Sequence, residues 1–269
     1  MDTRDLARDL RAHAVRMVAR VNASHIGGAL SMADLLAVLY GGVLRVRPDE
    51  PAWPDRDRFI LSKGHCTASL YAALAGRGFF PAAELDTYGR DGSRLMAHVS
   101  HKVPGVEFST GSLGHGLGFG CGKALAAKRR AEAWRTFVLL SDGELDEGSN
   151  WEAILFAGHH GLENLVAVVD YNRIQSLGRV AEVLELEPLA DKFRAFGWGV
   201  REVDGHDHDA LRAAFAAVPF APGRPSVLIA HTVKGRGVDY MENDRAWHYR
   251  APVQPELLER ALKQLACAP

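Results

Sequence analysis

A chain of 269 residues, 47% of them hydrophobic, is long enough to enclose a substantial core as one large domain or two small ones. A formal charge of -1, with the basic residues spread along the chain, excludes a surface that draws nucleic acid or an acidic membrane by charge. The three cysteines, Cys66, Cys121 and Cys267, are odd in number and lack metal-ligand spacing, which excludes a disulfide framework and points to a reducing compartment, by default the cytoplasm.

The opening MDTRDLARDLRAH carries acidic residues and no apolar signal core, and no window approaches the about 20 apolar residues of a membrane span. A soluble protein without a cleaved signal is expected. Leu6, Leu10, Ala14, Met17, Val18 and Val21 recur at helical spacing, with Arg8, Arg11, Arg16 and Arg20 mostly opposite, so residues 5–21 are predicted as an amphipathic helix. After a break at residues 22–28, Ser31 is expected to cap a second helix, with Asp34 reaching back to complete a capping box. Leu35, Leu36, Leu39 and Tyr40 would face the core. Pro48, Pro51 and Pro54 predict an irregular connection over residues 43–57, then a short strand at 58–61. A turn gathers Ser62, Lys63, Gly64 and His65 before a helix at 67–76. Residues 85–107, with His98 and His101, show no period and read as a long loop. The next stretch places Gly111, Gly114, Gly116, Gly118, Gly120 and Gly122 before or inside an Ala-rich helix reaching about residue 132. Glycines at this density imply close approach of a ligand or of another helix; those at 118, 120 and 122 are assigned to helix packing.

Strands are predicted at 137–140, 165–169, 199–203 and 226–230, with helices at 150–160, from near 207, and from Pro255 to the end. Almost wholly apolar strands alternating with helices argue for a doubly wound α/β fold, a mostly parallel sheet covered on both faces. Such sheets bind ligands outside the carboxyl ends of their strands, and Asp142 and Asn172 each follow a strand end. With a backbone carbonyl such as that of Ile174, they form an all-oxygen set suited to magnesium or calcium rather than zinc. A helix N-terminus alone favours a phosphate by only about 0.3–1 kcal/mol, so a bound divalent ion would do most of the work of holding a diphosphate. In the run Gly205-His206-Asp207-His208-Asp209, an aspartate is expected to cap the following helix. Cys66 is read as packing, and His101, His159 and His160 as ordinary surface or core residues.

Ser141-Asp142-Gly143-Glu144, followed by Asn172, resembles the Gly-Asp-Gly…Asn signature of thiamine diphosphate enzymes. Four further segments are similar to the transketolases in particular: SHIGGALSMADLLAVLY, FILSKGHCTASLYAAL, PGVEFSTGSLGHGLG and HTVKGRGVDYMENDRAWHYRAP. The resemblance implies a diphosphate-binding (PP) domain in which Asp142, Asn172 and the Ile174 carbonyl ligate magnesium, with calcium or manganese able to replace it. It implies that Gly143 lets the backbone approach the diphosphate, that Glu144 is among the cofactor-binding residues, and that Gly111, Ser112 and Leu113 line the cofactor's rings; Lys234 and Arg236, in the loop after the strand at 226–230, are candidate cations for the diphosphate. His65 and His248 would contact the diphosphate and the reacting centre, His25 would face the substrate, and His98 would touch the donor's hydroxyl end. Glu147 matches an acidic residue near a dimer contact. Histidines suit this chemistry because moving ketol groups requires proton transfers near neutral pH. Three positions depart from the family pattern: Ser141 replaces a glycine, Ile26 a proline, and Ala97-His98-Val99 stands for Gly-His-Pro with one residue fewer before Pro104. The last points to a non-standard donor.

The resemblance spans nearly the whole chain but only the first of a transketolase's three domains. The pyrimidine-binding domain, with the glutamate that activates the cofactor, and the C-terminal domain are expected on a separate chain, in an α2β2 heterotetramer. Because the helix from Pro255 runs to the terminus, a split enzyme is expected rather than a truncation. The implied activity is transfer of a two-carbon ketol unit from a ketose, phosphorylated in the family's manner, to an aldose, with no nucleic-acid or membrane partner. The alternatives are a component of a 2-oxoacid-decarboxylating synthase or dehydrogenase, which would not need histidines at 25, 65 and 248, and a catalytically silent scaffold subunit.

Overall fold

The computed structural model describes residues 2–267. Helix α1 (Thr3–Val21) buries the stripe of Leu6, Leu10, Ala14, Met17 and Val18. Its first turn is capped by the Asp2 carboxylate, which accepts from the Arg4 N–H at 2.8 Å. Two short helices follow, α2 (Ile26–Ser31) and α3 (Ala33–Val38), both wholly buried. The expected capping box at Ser31 and Asp34 does not form. The Ser31 hydroxyl donates instead to Asp170 at 2.6 Å, and the Asp34 carboxylate accepts from Arg11, His206 and His208. Both side chains are buried, where charged or strand-borne partners from elsewhere in the chain outweigh a local cap.

Then come β1 (Arg58–Leu61), α4 (Thr67–Gly76), α5 (Gly116–Arg129), β2 (Thr136–Ser141), α6 (Gly148–His159) and β3 (Leu165–Tyr171). Helices α7 (Val180–Val183) and α8 (Leu189–Ala195) lead to β4 (Gly199–Asp204), α9 (His208–Ala216), β5 (Ser226–His231) and α10 (Pro255–Cys267). The five strands are all parallel in the order β1-β2-β3-β5-β4. Alternate residues of each strand feed opposite cores. Phe137 and Leu139 pack toward α1–α4, α9 and α10, whereas Val138 and Leu140 pack toward α5–α8. This is the doubly wound fold expected. The edge strand β4 departs from the buried pattern, exposing Arg201, Glu202 and Asp204.

Helices α7 and α8 had no counterpart in the sequence reading, because four and seven residues are too few to display a helical period. Gly120 serves packing, as expected, since a Cβ there would lie 2.5 Å from Val138 Cγ2. Gly118 and Gly122 do not, because nothing lies within 4 Å of a Cβ at either. Each stands two positions from Gly120, which on a helix turns it away from the packed face, and both are exposed.

Register sets the site. Ser141 pairs with Asp170, and Tyr171 with His231, so the loops after β2, β3 and β5 leave the sheet side by side.

Candidate active site

Outside these strand ends lies a cavity of about 220 Å³. Lys63 enters it from the loop after β1, Asp142 from the turn after β2, Asn172 and Ile174 from the loop after β3, and Lys234 from the loop after β5. Behind its wall, Lys63 and Asp170 form a fully buried ion pair, 1% and 0% exposed at the side chain. Lys63 also donates to the Gly28 carbonyl at 3.1 Å. Asp170 accepts from Ser31, Thr232 and, at 3.4 Å, the Asn172 amide nitrogen. Burial opposes the charge on both groups, but their mutual attraction prevails: Lys63 is held above the ordinary lysine pKa and Asp170 below the ordinary aspartate value.

The bond to Asp170 orients Asn172, whose Oδ1 accepts from the Ile174 N–H at 3.2 Å. Between them Arg173 adopts a left-handed backbone (φ 68°), which brings its N–H onto Asp142 Oδ2. Asp142 Oδ1 accepts from the Gly143 N–H at 2.8 Å, and the Ile174 carbonyl accepts from Lys234 Nζ at 2.9 Å. Burial, then the neighbouring Asp170, pushes the Asp142 carboxyl up to about 6 against these N–H donors. A buried carboxylate in that position is stabilised by a cation. Among the described residues no three His, Cys, Asp or Glu side chains group as a metal site. The available donors are one carboxylate, one amide oxygen and one carbonyl, a hard oxygen set that fits magnesium and leaves positions for phosphate oxygens.

Four histidines close the other side. The His25 N–H donates to the His248 carbonyl at 2.8 Å, which ties α2 to the turn Arg245–His248. The His25 ring centroid lies 4.8 Å from that of His65, 5.1 Å from His248 and 6.0 Å from His98. Nδ1 of His25 and of His248 is buried without a hydrogen-bond partner, as befits groups that meet a ligand. Burial, then nearby His98, Lys234 and Lys63, lowers His25 to about 4. Burial, then Lys234, His25 and Lys63, lowers His248 to about 3, and burial with Lys63 puts His65 well below its ordinary value. All three imidazoles are therefore neutral near pH 7, able to accept a proton or donate from the ring N–H.

Stability should depend on pH accordingly. Each of these histidines has a folded pKa below its unfolded value of about 6.5, so below that pH the unfolded chain binds more protons. The chain should lose stability as pH falls from about 6.5 toward 4, and gain nothing from these groups above about 7. Melting temperature against pH measures this, and the slope should be shallower in His25→Gln. An unchanged slope in that variant would count against it.

Of the residues named from sequence, His25, His65, His98, His248, Gly111, Leu113, Asp142, Gly143, Asn172, Ile174 and Lys234 all line this one cavity. Three do not. Arg236 lines a different cavity. Ser112 is exposed, because the loop turns its side chain outward between Gly111 and Leu113. Glu144 is fully buried behind the wall, its carboxylate taken up by Ser62 and by backbone N–H groups. The residues missed are Lys63, Gly28, Gln175, Ser176 and Tyr249 in the wall, and Asp170 beneath it. Asp170 had a signal: an aspartate in an otherwise apolar central strand is rarely buried unpaired. His101 is exposed and bonded to Ser109, and His159 is exposed on α6. Asp207 caps α9, accepting from the N–H groups of Asp209 and Ala210, while His206 and His208 hold Asp34. Cys66 is packed against Gly28, as expected.

A doubly wound parallel sheet with an acidic and amide pair, two lysines and four histidines beyond its strand ends is the thiamine diphosphate-binding fold. Residues 2–268 match the family described as transketolase, thiamine diphosphate binding domain. The chain belongs to the transketolase family, enzymes that transfer ketol groups. It is 42% identical over 256 residues to one of the subunits named for the apulose-4-phosphate transketolase of Phocaeicola vulgatus, covering 95% of this chain and 91% of that one. It is 40% identical over 249 residues to the 6-deoxy-6-sulfo-D-fructose transketolase subunit SqwG of a Clostridium species, covering 92% and 90%. The solved transketolase of Leishmania mexicana superposes with a TM-score of 0.92 at 31% identity, over 99% of this chain but 41% of that one. The chain thus spans about two fifths of the length of the solved transketolase it matches.

Proposed function

We propose that this chain is the diphosphate-binding subunit of a two-component transketolase. With a partner carrying the pyrimidine-binding and C-terminal domains, it transfers a two-carbon ketol unit from a ketose to an aldose. The observation that carries this reading is the convergence in one cavity of Asp142, Asn172 and the Ile174 carbonyl with three neutral imidazoles. The division into subunits is supported by coverage: two relatives of similar length are themselves named as subunits, whereas the full-length enzyme extends far beyond the match.

Thiamine diphosphate, when bound, supplies stabilisation of a carbanion in its thiazolium ring. The protein's part is to bind, orient and move protons. Asp142, Asn172 and the Ile174 carbonyl would hold magnesium, with calcium or manganese as substitutes; Lys234 would offset diphosphate charge, and His65, an uncharged imidazole, would donate a ring N–H to a diphosphate oxygen. Gly111 and Leu113 form the wall along the cofactor's rings. His25 and His248, with free Nδ1 atoms, exchange protons with the substrate's oxygens, and His98 contacts the donor's hydroxyl end. The substrates are sugars or sugar phosphates, a class that includes those named for the two relatives. A two-fold α2β2 assembly is the simplest closed form for such a shared site. A cytoplasmic location accords with three free cysteines, and no helix of the described residues is long and apolar enough to cross a membrane.

The test is co-expression with the chain encoded beside it, followed by a donor and acceptor screen with thiamine diphosphate and magnesium. Ketol transfer that requires both chains supports the proposal. Full activity of this chain alone would refute the division of the site, release of carbon dioxide from pyruvate would favour a decarboxylating enzyme, and absence of cofactor binding would favour a scaffold.

A further inference from the structure

Glu144 directly follows the Asp142-Gly143 pair, yet its side chain turns away from the cavity and is 0% exposed. One carboxylate oxygen accepts from the Ser62 hydroxyl at 2.5 Å and from the Gly114 N–H at 3.0 Å. The other accepts from the Ser141 N–H at 3.3 Å. Ser62 Oγ in turn accepts from the Gly116 N–H at 3.1 Å. One carboxylate therefore ties together three segments: the loop after β1, the glycine-rich loop before α5 and the end of β2. In each, the neighbouring residue lines the cavity: Lys63 beside Ser62, Leu113 beside Gly114, and Asp142 beside Ser141.

The packing leaves no substitute for this tie. A Cβ on Gly116 would collide with Ser62, and one on Gly114, whose φ is +83°, would collide with Ser149. Among the described residues no lysine, arginine or histidine forms an ion pair with Glu144, so its bonds come from one hydroxyl and from backbone N–H groups. Carboxylates that accept only from neutral donors fix backbone position more than they contribute charge. A glutamine would have to turn its NH₂ group toward Ser141 or Gly114, setting donor against donor.

We propose that Glu144 is a positioning residue. It sets the separation between the Gly111–Leu113 wall and the Asp142–Asn172 edge, so that the slot for the cofactor is formed before the cofactor arrives. This rests on the thiamine diphosphate reading above.

The experiment uses Glu144→Gln, Ser62→Ala and the double variant in the full chain, co-purified with its pyrimidine-binding partner. Two quantities are read: amide hydrogen exchange at Gly114 and Gly116 without cofactor, and thiamine diphosphate affinity at saturating magnesium. In Glu144→Gln both amides should exchange faster and affinity should fall about tenfold, equivalent to one lost set of net hydrogen bonds. Ser62→Ala should free Gly116 more than Gly114. The double variant should be no weaker than Glu144→Gln, because the two groups act as one unit. Exchange and affinity within about twofold of wild type in Glu144→Gln, below the scale of one hydrogen bond, would overturn the proposal. Should Glu144→Gln not assemble, Ser62→Ala carries the same test, since it leaves the carboxylate its two backbone donors; unchanged Gly116 exchange and unchanged affinity then overturn it. A wild-type complex that binds no thiamine diphosphate would defeat the functional reading instead, while amide exchange would still report on the tie.

Discussion

Asp142→Ala should abolish magnesium-dependent binding of thiamine diphosphate, with a loss of affinity of about 100-fold or more. Asp142 is the single carboxylate of its donor set and is 1% exposed, so neither solvent nor another acid takes its place. Asn172 and the Ile174 carbonyl are neutral and do not compensate the charge of a divalent ion. Asp142→Asn keeps the shape and can still accept from the Gly143 N–H, yet it should lose nearly as much, because the deficit is one of charge rather than of fit. Titration of the cofactor at several magnesium concentrations measures the effect. Circular dichroism confirms that each variant is folded. Wild-type affinity in Asp142→Asn would remove the metal from this position.

The second large effect concerns Lys63 and Asp170. Removing one partner leaves the other charged and uncompensated inside the sheet edge, so Asp170→Ala and Lys63→Met should each cost about 3–5 kcal/mol in urea unfolding. Replacing both, as in Lys63→Met with Asp170→Leu, should cost much less than the sum, because a buried pair exchanged for apolar groups is often nearly neutral. Cofactor affinity should not recover with stability. Asn172 would have lost the acceptor that orients its amide, and Ser31 and Thr232 would have lost theirs. Additive losses in the double variant would show that the pair is not coupled.

These two predictions draw on residues of different legibility. Asp142 and Asn172 stand out in the sequence because each interrupts the end of an apolar run, and a strand end is a fixed place in an α/β sheet. Helices α1 and α10 were legible to within a few residues because their apolar residues recur at helical spacing, and strands β1, β2, β3 and β5 and helices α4 and α6 because each is a run rich in apolar residues bounded by turn residues. Helices α7 and α8 were not, for the opposite reason. Lys63 and Asp170 lie more than a hundred positions apart, and no local pattern announces that they pair. Ser31 and Asp34 show the reverse error: a valid local signal for a cap, overridden by partners that folding brings in from residues 170, 206 and 208.

Glu144 marks the boundary most clearly. Motif resemblance placed it among the cofactor-binding residues, directly after Asp142-Gly143, but whether its side chain faces the cavity or the interior depends on the backbone turn after Asp142 and on where Ser62 and Gly114 stand. The residue types and their order settle periodicity, strand ends and the family, because those are properties of neighbouring positions along the chain. The direction of each side chain, the partner of each buried charge and the neutrality of His25, His65 and His248 arise from desolvation and from contacts between distant segments, which exist only once the sheet has brought four loops to a common edge.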